Sequence, residues 1–237
     1  MGYQGVSCLV NIEDLKINEQ ARIDSFVRRI LEWYKDNNRN YLLWRRTNNP
    51  YYILVAEMML QKTTVRQVQD LIERFLDRFP TPKALADASE EEIRELITPL
   101  GMEYKRAVRF KKWGKIVVEK YGGRIPDSGR ELLSLPGVGR YIANSVLCLA
   151  FGKEVPLVDT NIVRILERFF DIKSIKARAR TDEKFWEFVS RITPSGKSRD
   201  VNLALLDHGA LVCTAKNPKC PICPVNERCT AHSEGEV

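Results

Sequence analysis

The sequence predicts an all-α fold. Three observations carry that expectation. Apolar residues recur at spacings of three and four along most of the chain. The apolar–polar alternation that marks strands is nearly absent. Most of the periodic stretches carry a recognisable helix start or stop signal.

Taken in order, residues 21–34 set Ile23, Phe26, Ile30 and Trp33 on one buried stripe. Asn49-Pro50 opens the next helix, with Asn as N-cap and Pro in the first helical position, and an apolar run to Leu60 follows. Residues 65–79 continue the pattern with Val68, Leu71, Ile72, Phe75 and Phe79. Residues 81–100 read as two short helices, the second stopped by Gly101. Residues 104–121 form another, ended by Gly122-Gly123. Ser128-Gly129-Arg130-Glu131 is expected to be a capping box. Asp159 opens the helix that carries Ile162, Ile165, Leu166 and Phe169, and the tail after Thr230 is expected to fray. There is no internal repeat and no low-complexity linker, so any two lobes are closely joined.

At 237 residues, with 44% hydrophobic and 29% charged, this is an ordinary soluble globular composition with enough chain for a real core. Lys and Arg outnumber Asp and Glu by 38 to 31, a net charge of +7 and a pI of about 9.1, which favours a polyanionic partner. No run of eighteen apolar residues provides a transmembrane helix. The opening Met1-Gly2-Tyr3-Gln4-Gly5 lacks a signal-peptide pattern, so an intracellular, cytoplasmic location is expected.

The most informative stretch is Leu135-Pro136-Gly137-Val138-Gly139-Arg140-Tyr141, followed eighteen residues after Tyr141 by Asp159. It reads as a glycine hairpin between two helices. Gly137 and Gly139 are expected to adopt backbone angles that side chains forbid. A helix beginning near Arg140 would aim its free N–H groups at a phosphate, which gives grip without sequence readout. Asp159 suits a helix N-cap and equally suits catalysis, because a helix N-terminus keeps a carboxylate ionised. Glu57 sits in the apolar run Ile53-Leu54-Val55-Ala56-Glu57-Met58-Met59-Leu60. A buried lone carboxylate is costly, so Glu57 is either paired or functional.

Cys213, Cys220, Cys223 and Cys229 put four of the six cysteines within seventeen residues, spaced C-x6-C-x2-C-x5-C. In an intracellular chain this is a metal site rather than a disulfide framework. Thiolates suit zinc or an iron–sulfur cluster, and spacing alone does not choose. Pro218, Pro221 and Pro224 disfavour helix there and stiffen a ligand loop. Cys8 and Cys148 stand apart, and Cys148 lies on an apolar helix face as core.

Together these residues resemble the endonuclease III superfamily, the helix-hairpin-helix DNA glycosylases with a C-terminal 4Fe–4S cluster. The matching segments are Asn49-Pro50-Tyr51, Glu57-Met58-Met59-Leu60-Gln61-Lys62-Thr63, Leu135-Pro136-Gly137-Val138-Gly139, Val158-Asp159-Thr160-Asn161 and the four cysteines, spanning roughly residues 25–230. The resemblance implies a two-lobed all-α fold with DNA crossing the cleft, and iron–sulfur rather than zinc. The expected division is a six-helix lobe at 43–153 carrying the hairpin, and a second lobe from 1–42 and 154–237 carrying the cluster. Tyr141 stands where the bifunctional members carry a lysine nucleophile, and tyrosine cannot form the Schiff base that cuts the strand. Tyr141, Phe151-Gly152-Lys153 and the stretch from Arg199 to Asp207 resemble the archaeal thymine-DNA mismatch glycosylase branch. The motif Glu57-Met58-Met59-Leu60-Gln61 resembles the adenine glycosylases instead, although the chain ends just past the cluster without their additional recognition domain.

The resemblance therefore implies a monofunctional glycosylase, expected to be a monomer, that releases thymine or uracil mispaired with guanine in double-stranded DNA. Asp159 would stabilise the oxocarbenium-like state or orient water. Tyr141 would contact the flipped nucleotide, and Glu57 the base or its leaving group. Gln61 and Lys62 would fill the vacated stack, Met102 would wedge from the other side, and Arg140 would hold phosphate. Two other classes of function remain: adenine removal, and a non-catalytic damage-sensing DNA-binding protein, which base release separates. A lyase acting through another lysine is a third, tested by borohydride trapping.

Overall fold

The computed structural model describes residues 12–237, with side chains from Asn18 onward. Cys8 and the opening five residues lie outside the described residues. Thirteen α-helices are described: α1 Ile12–Asn37, α2 Leu43–Arg46, α3 Pro50–Met59, α4 Val65–Arg78, α5 Pro82–Asp87, α6 Glu90–Ile97, α7 Glu103–Tyr121, α8 Gly129–Leu133, α9 Arg140–Phe151, α10 Thr160–Phe170, α11 Glu183–Ile192, α12 Ser198–Leu211 and α13 Thr230–Ser233. Among the described residues there is no strand, and no helix is long and apolar enough to cross a membrane.

The expected start of α3 forms as read: Asn49 Oδ1 accepts from the backbone N–H of Tyr51 at 2.9 Å, with Pro50 in the first turn. Two capping boxes that pattern reading passed over are present, Thr64 with Gln67 at α4 and Ser89 with Glu92 at α6. The box expected at Ser128 is not formed; the Ser128 side chain makes no cap bond. α8 is a single tight turn, closed from its other end by Ser134, whose N–H and Oγ both donate to the Glu131 carbonyl at 3.0 and 2.6 Å. The tail also departs from expectation. It ends in α13, where Ala231 is buried and its carbonyl accepts from the Glu236 N–H at 2.9 Å. α11 and α12 complete an all-helical chain where the sequence reading assigned no element.

The chain divides into two compact units. One comprises Arg39–Asp159 and Ser195–Asn202; the other comprises residues up to Asn38, Thr160–Pro194 and Leu203–Val237. The boundaries differ from those expected at 42, 153 and 154: residues 39–42, 154–159 and Ser195–Asn202 belong with the hairpin. Within that unit an aromatic chain runs through the core. Ring centroids lie 5.2 Å apart for Phe75 and Phe110, 6.1 Å for Phe110 and Trp113, and 5.9 Å for Trp113 and Tyr51. The Tyr51 hydroxyl donates to the Phe79 carbonyl at 2.7 Å, which satisfies a buried polar tip. α7 packs against α5 and α6, and α3 against α9. In the other unit, Phe26 stacks near Phe169 at 4.6 Å and Phe170 at 5.1 Å. Gly209 of α12 lets α10 approach, since a Cβ there would lie 2.7 Å from Asn161 Cβ.

Candidate active site and metal centre

The hairpin is built by sequence-local chemistry. The Val138 N–H donates to the Leu135 carbonyl at 3.1 Å, closing a four-residue turn with Pro136 and Gly137 in the middle. Gly137 has φ +82°, the left-handed value that a Pro-Gly turn of type II demands at its third position. The expectation for Gly139 is corrected: its φ is −98° and ψ 177°, ordinary extended backbone, and a Cβ there would meet nothing within 4 Å. Gly139 is the N-cap of α9, and having no side chain it leaves that end without a side-chain cap. The first N–H groups of a twelve-residue helix thus have no side-chain cap, with exposed Arg140 in the first position, an end whose dipole favours negative charge.

The three candidate catalytic residues converge in this same unit. Glu57, on α3, is buried at 7% exposure, and Ser145 Oγ of α9 donates to its Oε1 at 2.6 Å. Burial pushes the Glu57 carboxyl above the ordinary range; the Ser145 bond and the Arg45 guanidinium pull it back, and the Asp159 carboxylate pushes it further up. The Tyr141 phenol is held well above its usual value, first by burial, then by Glu57 and Asp159. Each of the two groups therefore feels Asp159, which is partly exposed in the residue immediately before α10. Tyr141 and Ser145 lie four apart on α9, so they share a face.

The segment leading to Asp159 is held by residues that carried no individual role in the sequence, although Arg199 and Asn202 lie in the stretch that carried the resemblance. Buried Asn202 grips this segment: its Oδ1 accepts from the Leu157 N–H and its Nδ2 donates to the Val155 carbonyl, both at 2.9 Å. Asn144 Nδ2 donates to the Pro156 carbonyl at 2.8 Å. Arg199 donates to the carbonyls of Leu149 and Arg45 at 2.7 and 2.6 Å, tying α9 to the chain beside Arg45. No local pattern announces these partners, because all of them bond main-chain groups remote in sequence.

The residues expected to enter the duplex lie on two turns. Lys62 is exposed with φ +60°, and Met102 is 47% exposed with φ +55°. Left-handed backbone at a residue with a side chain costs about 1–2 kcal/mol. Met102 is therefore a surface residue rather than core filling. Gln61, expected with Lys62 to fill the vacated stack, is hydrogen-bonded at both ends of its amide in this structure. Its Nε2 donates to the Gly137 carbonyl at 2.8 Å and its Oε1 accepts from Arg109 Nη1 at 2.9 Å.

The cysteine loop closes the other unit. Cys213, Cys220, Cys223 and Cys229 form no disulfide and are each partly buried. Burial pushes Cys223 up to about 11, and the thiols of Cys213, Cys229 and Cys220 add to the rise. Polar groups surround the loop: Arg168 Nη1 donates to Cys213 Sγ at 3.5 Å, and His208 Nε2 lies 3.4 Å from Cys223 Sγ. Asn226 Nδ2 donates to the Cys220 carbonyl at 3.0 Å, bracing the loop. Neighbouring thiols, of which Cys223 and Cys229 are pushed up by burial, with the Arg168 guanidinium beside them, fit a group whose iron charge deprotonates its ligands. The thiols do not gather as a single-ion site, since among the described residues no three His, Cys, Asp or Glu are placed to hold one metal ion. A cluster gives each cysteine its own iron, so the four need not meet at one point. The isolated Cys148 is buried in the hairpin unit, as the sequence implied.

This geometry belongs to a DNA-repair class. Residues 55–191 match the HhH-GPD superfamily base excision DNA repair protein model, and residues 213–229 match the iron–sulfur binding domain of endonuclease III. The chain belongs to the HhH-GPD superfamily of base excision DNA repair proteins and carries a 4Fe–4S cluster domain. It is 46% identical to a thymine-DNA glycosylase of Aeropyrum pernix over 89% of this chain and 96% of that protein. It is 44% identical to a thymine/uracil-DNA glycosylase of Pyrobaculum aerophilum over 87% of this chain and 91% of that protein. A solved thermostable thymine-DNA glycosylase superposes with a TM-score of 0.86 at 33% identity, covering 91% of this chain and 99% of the other.

Proposed function

We propose that this chain is a monofunctional DNA glycosylase that hydrolyses the N-glycosidic bond of thymine or uracil mispaired with guanine in duplex DNA. The observation that carries the reading is the placement of Asp159, Glu57 and Tyr141 in one unit with the α9 end that has no side-chain cap, in a chain whose relatives at 44–46% identity are named for thymine or for thymine and uracil. The α9 N-terminus and Arg140 hold a phosphate, and the weak mispair lowers the work of extruding the base. The Asp159 carboxylate stabilises the cationic sugar or orients the attacking water. Glu57, which retains its proton more readily than an exposed carboxyl, donates to the departing base. Tyr141 borders the flipped nucleotide and offers no amine, so the product is an intact strand with an abasic site.

The four cysteines Cys213, Cys220, Cys223 and Cys229 are the cluster ligands in this reading. The cluster supplies folding free energy to its own unit, and the excision steps run through Asp159, Glu57 and Tyr141. The working form is a monomer on intracellular DNA. Base release from duplexes bearing G·T, G·U, A·G and A opposite 8-oxoguanine, read with and without alkaline cleavage, tests this. Thymine and uracil should be freed opposite guanine, with strand breaks only after alkali. Adenine release without thymine or uracil release would move the chain to the adenine-specific reading.

A further inference from the structure

Two of the four described non-glycine residues with positive φ are Lys62 and Met102. They sit on turns far apart in sequence, one after α3 and one before α7. A single side chain fastens both. Arg106 of α7 is buried at 5% exposure. Its Nε donates to the Gly101 carbonyl at 2.9 Å, beside Met102. Its Nη1 donates to the Met58 carbonyl at 3.1 Å and reaches the Met59 carbonyl at 3.4 Å. Its Nη2 donates to the Gln61 carbonyl, beside Lys62. The guanidinium thus also caps the carbonyl end of α3, where a cation is favoured.

One turn along α7, Arg109 completes the arrangement. It donates to Gln61 Oε1, and the Gln61 amide passes the connection to the Gly137 carbonyl of the hairpin. The Arg109 stem lies so close to Gly137 that a Cβ there would stand 2.4 Å from Arg109 Cδ. The same helix face therefore holds three turns: Gln61-Lys62, Gly101-Met102 and Leu135–Gly139.

We propose that Arg106 and Arg109 are positioning residues that hold the two wedge turns in register with the phosphate-binding hairpin, so that base extrusion occurs against one preassembled edge. The inference rests on the glycosylase reading above and adds to it the part that opens the duplex. Five donors in a planar fork suit Arg106 to carbonyls on two turns at once, and a lysine carries the charge without the fork. Gln61 in this arrangement is a strut in the free protein. It enters the stack only by giving up its two bonds.

The test separates extrusion from chemistry. Uracil is offered in two contexts, paired with guanine and in a one-nucleotide bulge where it is already unstacked. Single-turnover release is measured for the wild type, Arg106→Lys and Arg109→Met. Both variants should lose about tenfold or more on the paired substrate, since small misplacements of positioning groups carry losses of this size. On the bulge they should stay within about threefold of wild type. A 2-aminopurine beside a G·T mispair should show less unstacking with either variant, a readout that needs no bond cleavage. Arg109→Met, at a partly exposed position, keeps the stem over Gly137 and serves if Arg106→Lys fails to fold, with melting and visible absorbance as the check. Parallel losses on both substrates, or no loss on either, overturn the inference. Release from neither substrate by the wild type counts against the glycosylase reading instead, and the 2-aminopurine comparison then decides this inference alone. Equal unstacking by wild type and variants, or none by the wild type, overturns it.

Discussion

Gly137→Ala probes two effects at one atom. The residue has φ +82°, and an added methyl would stand 2.4 Å from Arg109 Cδ and 2.7 Å from Arg109 Nε. Left-handed backbone costs an alanine about 1–2 kcal/mol more than a glycine. The methyl also displaces the Arg109 side chain from Gln61. A hydrogen bond to a charged group contributes about 1.5–3 kcal/mol, reduced here to about 1 kcal/mol because Arg109 is partly exposed. The sum is about 2–3 kcal/mol, and for a chain of this size each kcal/mol lowers the midpoint by about 2–4 °C. Calorimetry should therefore find the hairpin unit melting about 4–12 °C lower. In an Arg109→Ala background the collision is gone, so the same substitution should cost only the backbone part, leaving a coupling of about 1 kcal/mol in the double-mutant cycle. A melting shift under about 1 °C would sink the left-handed requirement. A cost that stays whole in the Arg109→Ala background would show that the methyl and the arginine do not meet.

Asp159→Asn should reduce single-turnover base release by about 10²–10³ with little change in duplex affinity, because the charge acts mainly on the transition state; near-native turnover would leave Asp159 as a helix cap only. Glu57→Gln keeps an acceptor for Ser145 Oγ and removes a buried titrating group. The Glu57 pKa is raised in the folded chain, so its destabilising effect is absent below the unfolded pKa and accumulates as pH rises through the folded one. The variant's stability relative to wild type, measured by urea melts, should thus improve from about pH 4 towards neutrality, while its base release falls. Tyr141→Lys should gain strand cleavage and a borohydride-trappable adduct, detected as a covalent protein–DNA band; the wild type should show neither. Cys213→Ser should lose visible absorbance and iron and lower the melting of its own unit, checked by iron analysis and calorimetry.

Much of this molecule was legible in the chain because it rests on short-range chemistry. Asn49-Pro50 started α3 as read, since the cap is a bond between residues two apart. Leu135-Pro136-Gly137-Val138 announced its turn because proline and glycine restrict their own backbone angles. Four cysteines in seventeen residues announced a metal loop for the same reason: the ligands are neighbours. Local signals also misled where their closure depended on context. Ser128 and Glu131 have the spacing of a capping box, yet the carbonyl of Glu131 is bound by Ser134 in a helix of one turn. Gly139 shares the hairpin with Gly137, yet its backbone is one any residue adopts.

The chain alone thus determined that helices form, where most begin, and which residue types could grip phosphate or bind iron. Tertiary structure alone decided what those residues do to one another. Glu57 is buried beside Ser145 and feels Asp159, positions 88 and 102 residues away in the chain, and no periodicity encodes that distance. Asn202 clamps the approach to Asp159 from a helix more than forty residues on. Arg106 gathers carbonyls from two turns, and Gln61 reaches the hairpin 76 residues ahead. The physical reason is common to all four. Main-chain carbonyls and buried carboxyls have no sequence signature for their partners, and desolvation, which sets both their cost and their pKa, exists only once the core has closed around them.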